Sequence, residues 1–189
     1  MHRMLRIANA IDRFNERFGR LLYWLTLAMV VIGSYNALGR YLDRYTGWGL
    51  SSNMYLELQW YLFSLVFLLG AAYTLKHEGH VRVDVLYTHL GRRGKAIINL
   101  AGVVLLLIPF CVLMIKVSIP SVINSWTVLE TSPDPGGLPR FPLKTIIPIA
   151  FLLVIVQGVS MGIRQLAVLL GIEPAEGTES EPGSLEEGT

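Results

Sequence analysis

The run Ala96-Ile-Ile-Asn-Leu-Ala-Gly-Val-Val-Leu-Leu-Leu-Ile-Pro-Phe-Cys-Val-Leu-Met-Ile115 decides the fold. It carries no charge, and at about 1.5 Å per residue a helix of this length crosses about 30 Å, the hydrocarbon thickness of a bilayer. Its apolar residues are continuous rather than alternating, which points to a helix and not to a barrel strand. Working outward, three more uncharged runs have nearly the same length: Leu21–Gly39, Leu58–Leu75 and Thr145–Ile163. The expected fold class is therefore an all-α membrane protein with four transmembrane helices. Composition agrees. Of 189 residues, 52% are apolar and only 16% are charged, with a mean hydropathy of +0.49. Soluble domains carry roughly 25% charged residues. A soluble enzyme and a nucleic-acid module are excluded as the main reading.

Basic residues set the orientation. Arg3, Arg6, Arg13, Arg17 and Arg20 precede the first run; Lys76, Arg82, Arg92, Arg93 and Lys95 lie between the second and third; Arg164 follows the fourth. The other side holds Arg40, Arg44, Lys116, Arg140 and Lys144. Eleven against five places both termini and the 76–95 loop in the cytoplasm by the positive-inside rule. Trp24, Trp48, Trp60 and Trp126 all avoid the middle of a run, as amphipathic rings at membrane interfaces do. The first run lacks a small-residue cleavage pattern and is read as retained.

The segments between the runs complete the plan. In residues 1–20, Met4, Ala8, Ile11, Phe14, Phe18 and Leu21 recur at steps of three or four, away from most of the arginines. This predicts an N-terminal amphipathic interfacial helix on the cytoplasmic leaflet that leads into the four-helix membrane domain, residues 21–171. The 76–95 loop is short and basic, a surface helix or extended turn. A helix continuing over 96–129 would be about 51 Å long, so it must tilt, kink at Pro109 or Pro120, or project beyond the bilayer. Ser132–Pro142, with four prolines and Gly136-Gly137, predicts a stiff connector without regular structure. Residues 172–189 hold six glutamates and no Lys or Arg, and read as a disordered acidic tail.

Chemistry is conspicuous by what the spans lack. His2, His77, His80 and His89 all lie outside the four runs, so no bundle haem is expected, and the lone Cys111 forms no intramolecular disulfide. There is no phosphate loop and no mid-membrane charge. His77, Glu78, His80, Asp84 and His89 have too loose a spacing for a metal site and read as a solvated loop. No catalytic, metal or cofactor-binding residue is assigned, and the chain is not expected to be an enzyme. Glu57, just before Trp60 and Tyr61, reads as an interfacial carboxylate paired with Arg40 or Lys144, or as a contact with another membrane subunit. Gly158-Val-Ser-Met-Gly162 permits close helix approach, and Asn36, Gln59, Ser64, Gln157 and Ser160 prefer protein to lipid. A bundle of this kind most often serves another protein.

Several of these residues together resemble a known family. Glu57-Leu-Gln-Trp60, Glu78-Gly-His-Val-Arg-Val-Asp84, Glu130 followed by Gly137-Leu-Pro139, Pro142-Leu-Lys144, and Pro148 through Gln157 are similar to the small membrane subunit of tripartite ATP-independent periplasmic (TRAP) transporters, over about residues 20–165. The resemblance implies a bacterial or archaeal inner-membrane location and two protein partners: a large membrane subunit that moves an organic acid by a sodium-driven elevator motion, and a periplasmic substrate-binding protein. It implies that the small subunit braces the scaffold and helps to dock the binding protein. Candidate large-subunit contacts are then Asn36, Glu57, Gln59, Trp60, Ser64, Gln157, Gly158 and Gly162, and candidate docking cations are Arg40, Arg44, Arg140 and Lys144. No fifth apolar run follows, so a polypeptide separate from the large subunit is expected. The long connector is more like that of the organic-acid branches than that of the sialic-acid branch. Competing classes are a stand-alone homo-oligomeric transporter and a structural four-span protein.

Overall fold

The computed structural model describes residues 2–77 and 90–172. The expectations for Glu78, His80, Asp84 and His89 and for the tail from Glu173 lie outside these described residues. Four long helices account for nearly all the rest: α1 (His2–Thr46), α2 (Asn53–Lys76), α3 (Arg92–Thr127) and α4 (Phe141–Leu169). All four are long and apolar enough to cross a membrane. They run up and down, so that one end of the bundle carries residues 47–52 and 128–140 (the loop end) and the other carries the start of α1, the end of α2 and the end of α4 (the terminal end). Helix α4 contacts each of the other three, and α1 packs beside α2.

The interior is built from small and polar residues, the reverse of a soluble core. Ala8, Ala72, Ala96, Ala150 and Ala167 are buried, as are Asn15, Asn36, Glu57, Ser125, Gln157, Ser160 and Gln165. Trp24, Phe67, Leu105 and Leu106 face outward. Lipid tails solvate large apolar side chains as well as protein does, so close packing and internal hydrogen bonds hold such helices together. Glycine marks the closest approaches. A Cβ on Gly19 would sit 2.2 Å from the Tyr73 ring, and one on Gly33 2.6 Å from the Gln59 amide.

Helix α1 is continuous for 45 residues, about 68 Å, with no break near residue 20. Its first five turns are not a separate element. The outward stripe includes Met4, Phe14 and Leu21, while Ala8 of the expected apolar face is fully buried against α4. Helix α3 has 36 residues and holds a π-helical stretch at Gly102–Leu107, just ahead of Pro109. Proline has no N–H for residue i−4 and its ring crowds that carbonyl; the wider π turn, closed by Ile108 N–H to Val103 O, absorbs the misfit.

Candidate functional site

At the loop end, carboxylates fasten each connection. Asp43, in the last turn of α1, accepts hydrogen bonds from Leu50 N (2.7 Å), Ser51 N (2.8 Å) and Ser51 Oγ (2.7 Å). Gly47 at φ +66° ends the helix and lets the chain turn back. Ser52 caps α2, accepting from Met54 N at 3.2 Å, while its own N–H reaches Asn36 Oδ1 at 3.3 Å.

The second connection is more ordered than its composition suggests. Asp134 O accepts from Gly137 N at 3.0 Å, with Pro135 and Gly136 (φ +74°) between them, the pattern of a type II turn. Ser132 N donates to Leu138 O (3.1 Å) and Arg140 N to Glu130 O (2.8 Å), and Thr131 and Pro139 form one antiparallel bridge. This small hairpin folds down onto α2. The Glu57 carboxylate accepts from Ser132 Oγ and Leu138 N, and Tyr61 Oη donates to Pro139 O. Gly137 makes this fit possible, since a Cβ there would lie 2.4 Å from Ser132 Cβ and 2.8 Å from the Glu57 oxygens.

Glu57 is therefore a buried staple for the connector, not the partner of Arg40 or Lys144. Lys144 pairs instead with Glu130, which also accepts from Ser125 Oγ at 2.7 Å. Those two hydrogen bonds, the one from Lys144 the stronger, hold the Glu130 carboxyl below its ordinary range. Arg140 lies close enough to act on both Glu57 and Glu130. Arg40 and Arg44 are exposed and make no ion pair among the described residues. The four expected docking cations thus fall into one tied to Glu130, one beside two carboxylates, and two presented outward.

At the terminal end, α1 meets α4 through a second polar knot. Asp12 accepts from Gln157 Nε2 (3.0 Å), Ser160 Oγ (2.8 Å), Arg164 Nε (3.0 Å) and Arg164 Nη2 (2.6 Å). Asn15 Nδ2 donates to Gln157 Oε1, and Arg164 Nη2 also reaches Asn9 Oδ1 at 2.8 Å. Glu16 pairs with Lys76 and His77 at the end of α2.

The residues expected to touch a large subunit divide likewise. Asn36, Glu57 and Gln157 are buried with partners from this chain. Gln59 faces Gly33 of α1, and Gly158 and Gly162 face Leu107, Val103 and Leu100 of α3. Ser64 Oγ bonds Trp60 O one turn back, and Trp60 itself is 63% exposed. The sequence reading missed Asp12, Asn15, Asp43, Ser132 and Gly19. Asp43 carries the plainest signal, an acid one turn before Gly47. Asp12 lies hidden among arginines.

Among the described residues no three His, Cys, Asp or Glu side chains come together to hold a metal ion. The chain matches the family model described as tripartite ATP-independent periplasmic transporters, DctQ component, over residues 29–168. That is well over half of its length, and the chain belongs to this family. Comparison with curated proteins and with solved structures gives no match.

Proposed function

We propose that this member of the DctQ component family, a non-catalytic small transporter subunit, braces the scaffold of a large sodium-driven elevator subunit and helps to dock a periplasmic binding protein during organic-acid uptake. In this reading it sits in the inner membrane with the terminal end cytoplasmic, the side favoured by eleven basic residues against five. The observation that carries the reading is the stapled loop end. Asp43, Glu57 and Glu130 each tie a loop to a helix, so the surface between them is preorganised rather than free to give way. A docking platform and a brace both need that stiffness.

The polar groups of the spans support the same role. Among the described residues, Asn36, Glu57 and Gln157 bond to other elements of this chain, and Thr26, Ser64, Thr74 and Ser118 bond to carbonyls of their own helices. The large subunit would instead meet an outward apolar face such as Trp60, Phe63 and Phe67 of α2, each more than half exposed. Arg40 and Arg44, at the C-terminal end of α1, would steer an acidic face of the binding protein. Rim charges of this kind act mainly on association rate and its salt dependence.

The test is transport by the complete three-part system with Arg40→Glu and Arg44→Glu together. The expected result is a several-fold rise in the binding-protein concentration needed for half-maximal uptake, a weaker salt dependence and an unchanged maximal rate. Uptake and salt dependence equal to wild type would remove the docking role. Purification of the chain from native membranes without a many-span partner would remove the bracing role.

A further inference from the structure

Two concavities meet at Leu75. One is a polar cleft of about 480 Å³ between α1, α2 and α4, walled by Asp12, Arg13, Glu16, Lys76 and Arg164. The other is an apolar groove of about 550 Å³ between α2, α3 and α4, walled by Ala71, Gly102, Leu106, Phe110 and Val154. Leu75 lines both. Val154 in the groove and Met161 in the cleft are seven residues apart, two turns along one stripe of α4, so the spaces follow one another along that helix. The groove lies in the apolar part of the spans, and the cleft lies where their charged ends begin.

The charges of the cleft do not balance. Asp12 is bonded to Arg164 and Glu16 to Lys76. Arg13 donates only to its own helix, at Asn9 O, and makes no ion pair among the described residues. One positive charge is left facing the cleft. Below it the groove is lined by Gly102, whose missing side chain leaves space there. The π-helical stretch begins at Gly102, where an added Cβ would meet nothing within 4 Å. A headgroup cleft with one uncompensated cation above an open apolar slot has the chemistry of one lipid.

We propose that cleft and groove together bind a single phospholipid of net charge −1, its phosphodiester at Arg13 and an acyl chain along the groove past Gly102. The site is internal to this chain and does not depend on the role proposed above. A free phosphate would share the cleft but not the groove, and the test separates the two.

The full-length chain, purified in mild detergent and stripped of lipid, is exposed to phosphatidylglycerol, phosphatidylcholine or inorganic phosphate. Bound lipid is counted by native mass spectrometry and stabilisation is read by thermal unfolding. One phosphatidylglycerol per chain is expected, preferred over phosphatidylcholine by about fivefold, the effect of one basic side chain near an anionic headgroup. Arg13→Gln, on an exposed position, should erase the preference while leaving lipid bound. Gly102→Leu, which fills open space, should expel the lipid without loss of fold. Equal occupancy by both lipids, retention of lipid in Gly102→Leu, or protection by inorganic phosphate alone would each overturn the proposal.

Discussion

Replacement of Asp12 by alanine tests whether the first turns of α1 belong to the bundle or to the membrane surface. In the structure this carboxylate accepts four hydrogen bonds from three side chains of α4, two of them from the Arg164 guanidinium. Its side chain is 13% exposed and that of Arg164 20%. Removing one partner of a buried ion pair costs about 3–5 kcal/mol, because the other charge is left without compensation. Arg164 keeps Asn9 and some access to water, so the lower end of that range applies, about 3 kcal/mol. For a chain of this size the melting temperature should fall by roughly 6–12 °C. Asp12→Asn keeps one acceptor oxygen but turns an amide toward Arg164, and should cost about 2 kcal/mol. The assay is thermal unfolding of the full chain in detergent, repeated for Arg164→Gln and the double variant. Asp12 and Arg164 should couple by about 2 kcal/mol in that cycle. An Asp12→Ala variant as stable as wild type, with no coupling, would refute the packing of α1 on α4. It would restore the picture of residues 1–20 as a helix lying on the leaflet.

Three further outcomes follow from the loop end and the α1–α2 seam. Gly137→Ala forces a methyl group against Ser132 and the Glu57 carboxylate and should cost about 1–3 kcal/mol, whereas Gly136→Ala meets open space and carries only the left-handed backbone cost of about 1–2 kcal/mol. Thermal unfolding of both variants, with hydrogen exchange across 130–140, checks that Gly137→Ala frees the hairpin and Gly136→Ala does not. Glu130 has its carboxyl pKa lowered in the folded state by Lys144 and Ser125, so its contribution is present above the ordinary carboxylate range and is lost as pH falls through the lowered value. Protection of the amides at residues 128–140, expressed relative to the intrinsic exchange rate at each pH, should therefore fall on acidification, and Glu130→Gln should show the low protection throughout; an unchanged acid response in that variant would assign the effect elsewhere. Gly19→Ala drives a methyl group into the Tyr73 ring and should destabilise the α1–α2 contact by about 1–3 kcal/mol, with Tyr73→Ala in the same chain recovering part of the loss.

The helices were legible because their signals are local and additive. Each uncharged run of about twenty residues announces a span by length alone, and all four lie inside helices of the structure. The stiffness of the Ser132–Pro142 connector was likewise readable from its prolines, though not the turn at Pro135-Gly136 or the bridge between Thr131 and Pro139. Helix ends were underestimated. Charged residues such as Arg40, Arg44 and Arg164 bring a hydropathy reading to a stop, yet the backbone helix continues past them, to Thr46 in α1 and to Leu169 in α4.

The candidate site was legible only as a set of residue types. Asn36, Glu57 and Gln157 stand out as polar groups beside lipid, and that much follows from composition and position. Their partners do not. Glu57 meets Leu138 across 81 positions, and Gln157 meets Asp12 across 145. Which faces of α1, α2 and α4 touch depends on helix rotation and on small residues such as Gly19, Gly33 and Gly158 that admit close approach. The sequence alone determined that this chain carries four segments long and apolar enough to cross a membrane, because transfer of each segment to lipid depends on the segment itself. Only the tertiary structure decided that Asn36, Glu57 and Gln157 serve the chain's own interior. In a bilayer a buried polar group must be answered by whatever the packing brings within hydrogen-bond reach, and that choice is made between helices rather than along one.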